Sequence, residues 1–152
     1  MPEKKTVQRA RKAARQGKAP TTQAGEFVRE EMEHIRKGKH GARSSKQAIA
    51  IGLSKARRAG VKLQPPKKGK TSAATRKKAE RDYQRGQSGA SSKPSAKRSR
   101  ARRQALKREG RSAASHAALS RQARTATRSR GTKSSTRKKR TRKSSSRSRA
   151  SR

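Results

Sequence analysis

Apolar positions along this 152-residue chain are few and unevenly placed. Leu, Ile, Val and Phe total 11, and eight of them (Phe27, Val28, Ile35, Ile49, Ile51, Leu53, Val61 and Leu63) lie between Thr21 and Gln64. Within that stretch Ala24, Phe27, Val28, Met32 and Ile35 recur at spacings of 3, 1, 4 and 3, which trace one face of a helix. The pattern predicts a first helix after Pro20-Thr21-Thr22, with a threonine as N-cap, that ends at Gly38. Glu33 and Lys37 form an i,i+4 pair in the favourable orientation, and acids early with Arg36-Lys37 late suit the helix dipole.

A second helix has firmer punctuation. Ser44 and Gln47 fit a Ser-x-x-Gln capping box, and Ile49, Leu53 and Ala56 form a stripe with Ala48 and Gly52 beside it. A glycine inside a helix costs about 1 kcal/mol relative to alanine, so Gly52 predicts close approach of another backbone. Gly60 stands where a C-terminal glycine belongs, Val61 can cover Ala56, and Pro65-Pro66 forbids continuation. The six residues from Gly38 to Arg43 can reverse the chain, giving a helical hairpin over about residues 22–60 with Phe27, Val28, Met32, Ile35, Ile49, Leu53, Ala56 and Val61 as its core.

Charge changes the picture outside this module. The chain carries 48 Lys plus Arg against 8 Asp plus Glu, a net charge of +40. Its 11 aliphatic and phenyl side chains are about 7% of the residues, below the roughly 20% under which high charge signals disorder. So little apolar surface does not offset an ordering cost of about 1–2 kcal/mol per residue. The expected fold class is therefore a mostly disordered, low-complexity basic chain with one small all-α module. Residues 1–20 form a basic N-terminal arm, 21–64 the module, 65–131 an Ala/Arg-rich region and 132–152 a Ser/Arg/Lys tail. In the third region Ala73 to Arg85, Ala96 to Lys107 and Ala113 to Ala126 read as conditional helices, ended by Gly86, Gly110 and Gly131. They are expected to form once phosphates quench repulsion among their cations.

The charge points to polyanions. Residues 1–64 hold 17 basic and 5 acidic side chains, a charge of +12, and residues 65–152 hold 31 and 3, a charge of +28. Duplex DNA presents a phosphate charge about every 1.7 Å, so +40 matches on the order of 70 Å of duplex. On the second helix Lys55, Arg58 and Lys62 fall at i, i+3 and i+7, with Arg57 alongside, while Arg43 and Lys46 sit at its start, where free N–H groups favour anions. Downstream clusters are Lys67, Lys68 and Lys70; Arg76, Lys77 and Lys78; Arg100, Arg102 and Arg103; and Arg137, Lys138, Lys139 and Arg140. No base-reading set, zinc-finger spacing or aromatic RNA-binding signature accompanies them, so sequence-independent phosphate contact is expected.

Other chemistries find little support. There is no Cys, and hence no disulfide, thiolate zinc site or thiol nucleophile. His34 shares a helix face with Glu30, which reads as a surface i,i+4 pair, and His40 and His116 have no partner near them in sequence, so neither a metal nor a cofactor is expected. Lys67-Lys68-Gly69-Lys70-Thr71 ends like a P-loop but lacks its first glycine, with Pro65-Pro66 where a strand belongs. A chain that cannot enclose a pocket is not expected to be an enzyme or to take a small-molecule substrate. The longest mostly apolar run, Ala48 to Leu53, is too short to span a membrane, and no apolar segment follows the basic N-terminus as a secretory signal requires.

Pro20 to Glu31 (PTTQAGEFVREE) and Lys39 to Val61 (KHGARSSKQAIAIGLSKARRAGV) resemble a family of small basic bacterial proteins of unknown function. That resemblance implies a bacterial, cytoplasmic protein and carries no activity with it. The C-terminal part is similar in composition to bacterial linker-histone-like tails, which condense DNA. The resulting expectation is a non-enzymatic, nucleoid-associated, histone-like DNA binder that neutralises and compacts nucleic acid. Its alternatives are an RNA- or ribosome-associated basic protein and an adaptor that recruits protein through the acids of the first helix, Glu26, Glu30 and Glu33. Oligomeric state is left open.

Overall fold

The computed structural model describes residues 2–89 and 95–128, and every regular element among them is helical. The elements are α1 (Lys4–Arg15), α2 (Pro20–Arg36), α3 (Ser45–Arg58), α4 (Ala73–Gln87), α5 (Ala96–Arg108) and a short 3-10 turn (Ser112–Ala114). Residues 116–128 form one more helix, α6. The chain divides into two units, residues 1–115 and 116–152. Arg137, Lys138, Lys139 and Arg140, together with Gly131, lie outside the described residues.

The expected hairpin is present as α2 and α3, with shifted ends. α2 starts at Pro20, whose missing N–H costs nothing at a first helical position, and its N-cap is Ala19, which has no side-chain cap. The threonine cap expected from Thr21 and Thr22 therefore falls inside the helix. α3 starts as read: Ser44 Oγ accepts from Gln47 N at 3.3 Å. The reciprocal bond goes one residue further back than in a capping box, with Arg43 N donating to Gln47 Oε1 at 2.8 Å. Helices α1, α2 and α3 all close with the paired bonds of a Schellman motif; at α3 Val61 N donates to Ala56 O and Gly60 N to Arg57 O, with Gly60 at φ 90°.

Gly52 holds the hairpin together. A Cβ there would lie 2.7 Å from Val28 Cα, so the backbones of α2 and α3 approach as closely as only glycine permits. Around this crossing Ala10, Ala24, Phe27, Ala56 and Val61 form the core, with Val7, Leu53, Ala59 and Leu63 against it. Met32 and Ile35 are buried as expected, whereas Val28, Ile49 and Leu53 are only half-buried.

The expectation of a mostly disordered chain is not met by the described residues. α1 covers α2, α4 covers α3, and the 3-10 turn packs on both α2 and α3. Alanine accounts for the discrepancy. Among the described residues nine of the thirteen buried apolar ones are alanines, which a count of Leu, Ile, Val and Phe leaves out. An alanine buries less area than a leucine, but it orders almost no side chain and lets helices pack close.

The conditional helices begin where expected at Ala73 and Ala96. α4 runs through Gly86 to Gln87 instead of stopping there; Gly86 lies directly on the Arg57 carbonyl, where any Cβ would collide, so glycine serves the packing there and not a helix end. α5 ends just before Gly110, as read. The third predicted segment is split: Ala113 and Ala114 are buried in the 3-10 turn and helix resumes only at residue 116.

Candidate nucleic-acid interface

Helix α5 is the most cationic element described. It carries Lys97, Arg98, Arg100, Arg102, Arg103, Lys107 and Arg108, no acid and no buried residue. Like charges stand at i,i+4 in Arg98–Arg102 and Arg103–Lys107, each pair destabilising an isolated helix by a few tenths of a kcal/mol. Its tie to the rest of the first unit runs through its C-terminal end, where Gly41 N donates to Leu106 O at 2.8 Å and Ala42 N to Gly110 O at 3.0 Å. A Cβ on Gly41 would collide with the Glu109 carbonyl, so this docking needs glycine.

α4 buries Ala79 and leaves Lys77, Lys78, Arg81 and Arg85 exposed, with Arg76 half-buried. Ser72 caps it, accepting from Thr75 N at 3.3 Å. Lys62, Lys67, Lys68 and Lys70 are exposed on the connection from α3 to α4, and Arg43 and Lys46 are exposed at the start of α3. Arg58 is exposed as well, with its Nε 3.7 Å from Asp82 Oδ1. In the second unit α6 carries Arg121, Arg124 and Arg128.

Two residues expected to grip phosphate face inward. Arg57 is 6% exposed; its Nε donates to Leu63 O at 3.2 Å and its Nη2 to Gln64 O at 3.5 Å, fastening the segment that follows α3. Burial pushes its guanidinium below the ordinary value, and Asp82 pushes it back. Lys55 lies under α2, with its Nζ 2.6 Å from Glu31 Oε2 and 3.4 Å from Glu30 Oε1. The i, i+3, i+7 spacing placed Lys55 on a phosphate-facing stripe, but that side of α3 faces the carboxylates of α2.

The acids of α2 are similarly engaged. Glu30 and Glu31 are 2% and 1% exposed, Glu26 pairs with Arg9 at 3.2 Å and Glu33 pairs with Arg29 at 3.4 Å. Phe27 and Ile35 are fully buried. Of the three acids on α2 expected to recruit a protein, Glu30 is buried, while Glu26 and Glu33 stay part-exposed in local ion pairs.

Sequence reading missed one constellation. His40 has no partner near it in sequence, but the reversal between α2 and α3 brings its Nε2 to 3.1 Å from Glu31 Oε1. His34 Nε2 lies 2.8 Å from Glu3 Oε1, which also holds Lys39 Nζ at 3.0 Å, and Glu3 N donates to Glu30 Oε2 at 3.2 Å. The His34 and His40 rings meet edge to face at 6.1 Å. Hydrogen bonds from His34 and Lys39 lower the Glu3 carboxyl from 4.5 to about 2. The only signal in the sequence was the set Glu30, Glu31 and His34, spaced within one turn of helix.

Residues 4–68, from the start of α1 to the segment beyond α3, match the model of a family of unknown function (DUF6496). No curated protein and no solved structure matches the chain. The matched span includes the hairpin and the buried carboxylates, and it stops before α4 and α5. The described residues include no helix long and apolar enough to cross a membrane.

Proposed function

We propose that this protein binds nucleic acid through phosphate, with little regard to sequence, and acts as a histone-like, non-enzymatic compacting protein associated with the bacterial nucleoid. The observation that carries the reading is a division of charge. The acids of α2 are taken up by Arg9, Arg29, Lys55 and the neighbouring histidines, while the seven cations of α5 have no acid on their own helix. A helix that is polar all round has no core face to order it, so counter-anions are its natural support. Phosphates supply them in a regular row, and their condensed counterions are released on binding.

In this reading α1 to α3 form the docking body, and α4, α5 and the connection between α3 and α4 are the gripping surface. No aromatic residue lies on those helices except Tyr83, which accepts a hydrogen bond from Gln64 Nε2 at 3.4 Å, so base stacking contributes little. The test is competition between unrelated duplexes of equal length. Equal displacement by all of them supports the proposal, and preference for one sequence refutes it. A second reading, an RNA- or ribosome-associated protein, uses the same cations. Retention on ribosomes through a moderate-salt wash, with release by RNase, favours that reading over the DNA one.

A further inference from the structure

We propose that Glu31, His34 and His40 form a binding site for a divalent transition-metal ion, with zinc the best-suited. One ligand-capable atom from each of the three lies within 4.8 Å of the others. Two of the ligands stand on one face of α2 and the third on the reversal leading to α3, so the metal would pin that reversal to the helix.

Hydrogen bonding leaves a ring nitrogen of each histidine free to coordinate. His40 Nδ1 lies 3.1 Å from the Gly41 carbonyl, which only accepts, so in the neutral ring Nδ1 carries the hydrogen and Nε2 the lone pair. That lone pair faces Glu31 Oε1 at 3.1 Å, another acceptor. Two acceptors in contact require a cation or a proton between them. His34 Nε2 donates to Glu3 Oε1 at 2.8 Å, leaving its lone pair on Nδ1. A carboxylate or carbonyl holding the far nitrogen of a metal-binding imidazole is the usual outer support of such sites.

Distance and charge both permit the ion. Ligand atoms about 2.0–2.2 Å from zinc at tetrahedral angles stand about 3.3–3.5 Å apart; His40 and Glu31 already stand at 3.1 Å, and the other separations, within 4.8 Å, need only side-chain adjustment to close. Two imidazoles and one carboxylate are a zinc donor set that leaves a fourth position open. Glu31 divides its oxygens, with Oε2 on the Lys55 ammonium and Oε1 towards the histidines. Three carboxylates (Glu3, Glu30 and Glu31) face two ammonium groups (Lys39 and Lys55) here, leaving a local negative surplus. The chain's +40 acts on an incoming dication only weakly, because physiological salt screens charges beyond about 8 Å. Glu31 is 1% exposed while the His34 and His40 side chains are 13% and 17% exposed, so an ion enters from the histidine side.

The experiment uses the untagged, full-length protein stripped with a chelator. Zn²⁺ alone is titrated against a chromophoric competitor, Co²⁺ is followed by its visible spectrum, and melting is followed by circular dichroism. The expected result is one ion per chain and tetrahedral-type Co²⁺ bands. At free zinc 100 times Kd, the unfolding constant should fall about 100-fold. His40→Gln and His34→Gln should each weaken binding at least tenfold, while His116→Gln leaves it unchanged. Circular dichroism confirms that each variant is folded, and His40→Gln spares the Glu3 contact if His34→Gln unfolds. Absence of stoichiometric binding, or binding unmoved by His40→Gln in folded protein, overturns the proposal.

Discussion

Replacing Lys55 with methionine separates a structural lysine from a phosphate-binding one. Its ammonium lies 2.6 Å from Glu31 and 3.4 Å from Glu30, two carboxylates that are almost wholly buried. At an effective dielectric constant of about 20, unit charges about 3 Å apart attract by roughly 5 kcal/mol, a gross figure that desolvation of three ions largely offsets. Lys55→Met removes the attraction and leaves the desolvation in place. Breaking a buried pair in this way costs about 3–5 kcal/mol. For a chain of 152 residues each kcal/mol moves Tm by about 2–4 °C, so the midpoint should fall by at least about 6 °C. Denaturation of the full-length protein, followed by helical ellipticity, measures the change. In a double-mutant cycle, adding Glu31→Gln should cost less than its single effect, since the stranded charge is then gone. Lys62→Met supplies the contrast: this exposed side chain should change stability by less than about 0.5 kcal/mol while lowering the salt dependence of duplex binding by about one ion. If Lys55→Met melts within 1 kcal/mol of wild type and weakens DNA binding more than Lys62→Met does, the inward placement of Lys55 is wrong.

Three further outcomes follow from the packing and the charges. Gly52→Ala should destabilise the protein by about 1–3 kcal/mol through its clash with Val28 Cα, although alanine is the better helix former, and urea denaturation reads the sign directly. Glu3 contributes stability that is fully present above its ordinary value of 4.5 and is lost as pH falls towards about 2, because its folded carboxyl is held low by His34 and Lys39. In chelator-containing buffer, wild type and Glu3→Gln should therefore differ in Tm at pH 6 and converge near pH 2. Replacing Arg100, Arg102 and Arg103 together with alanine should leave the melting of the α1–α3 body unchanged and make the log–log salt slope of duplex binding shallower by about 3, as measured by fluorescence anisotropy.

The hairpin was legible because its signals are local. The apolar spacing on α2, the Ser44–Gln47 cap and the Gly60–Val61 exit each need only a few neighbouring residues, and Gly52 announced a close crossing by standing where a helix does not favour it. α1's role was not legible, since Thr6, Ala10 and Ala13 make too weak a stripe to stand out from an arm rich in Lys and Arg. Counting large apolar residues underestimated order because alanine does most of the packing. The inward placement of Lys55 and Arg57 was hidden for a related reason. Charge spacing along α3 says which cations share a face, but not that the face meets Glu30 and Glu31 on another helix. His40 likewise acquires its partners only through the chain reversal, a contact that sequence separation hides.

The measurement that tests the account most directly is duplex affinity across a salt series, with a random-sequence duplex of about 20 base pairs and the full-length protein. With at least ten phosphates neutralised, log Kd against log salt should change with a slope of about 9 or steeper, identical for unrelated sequences. A slope shallower than about 3, or tight binding that survives high salt for one sequence alone, would contradict it.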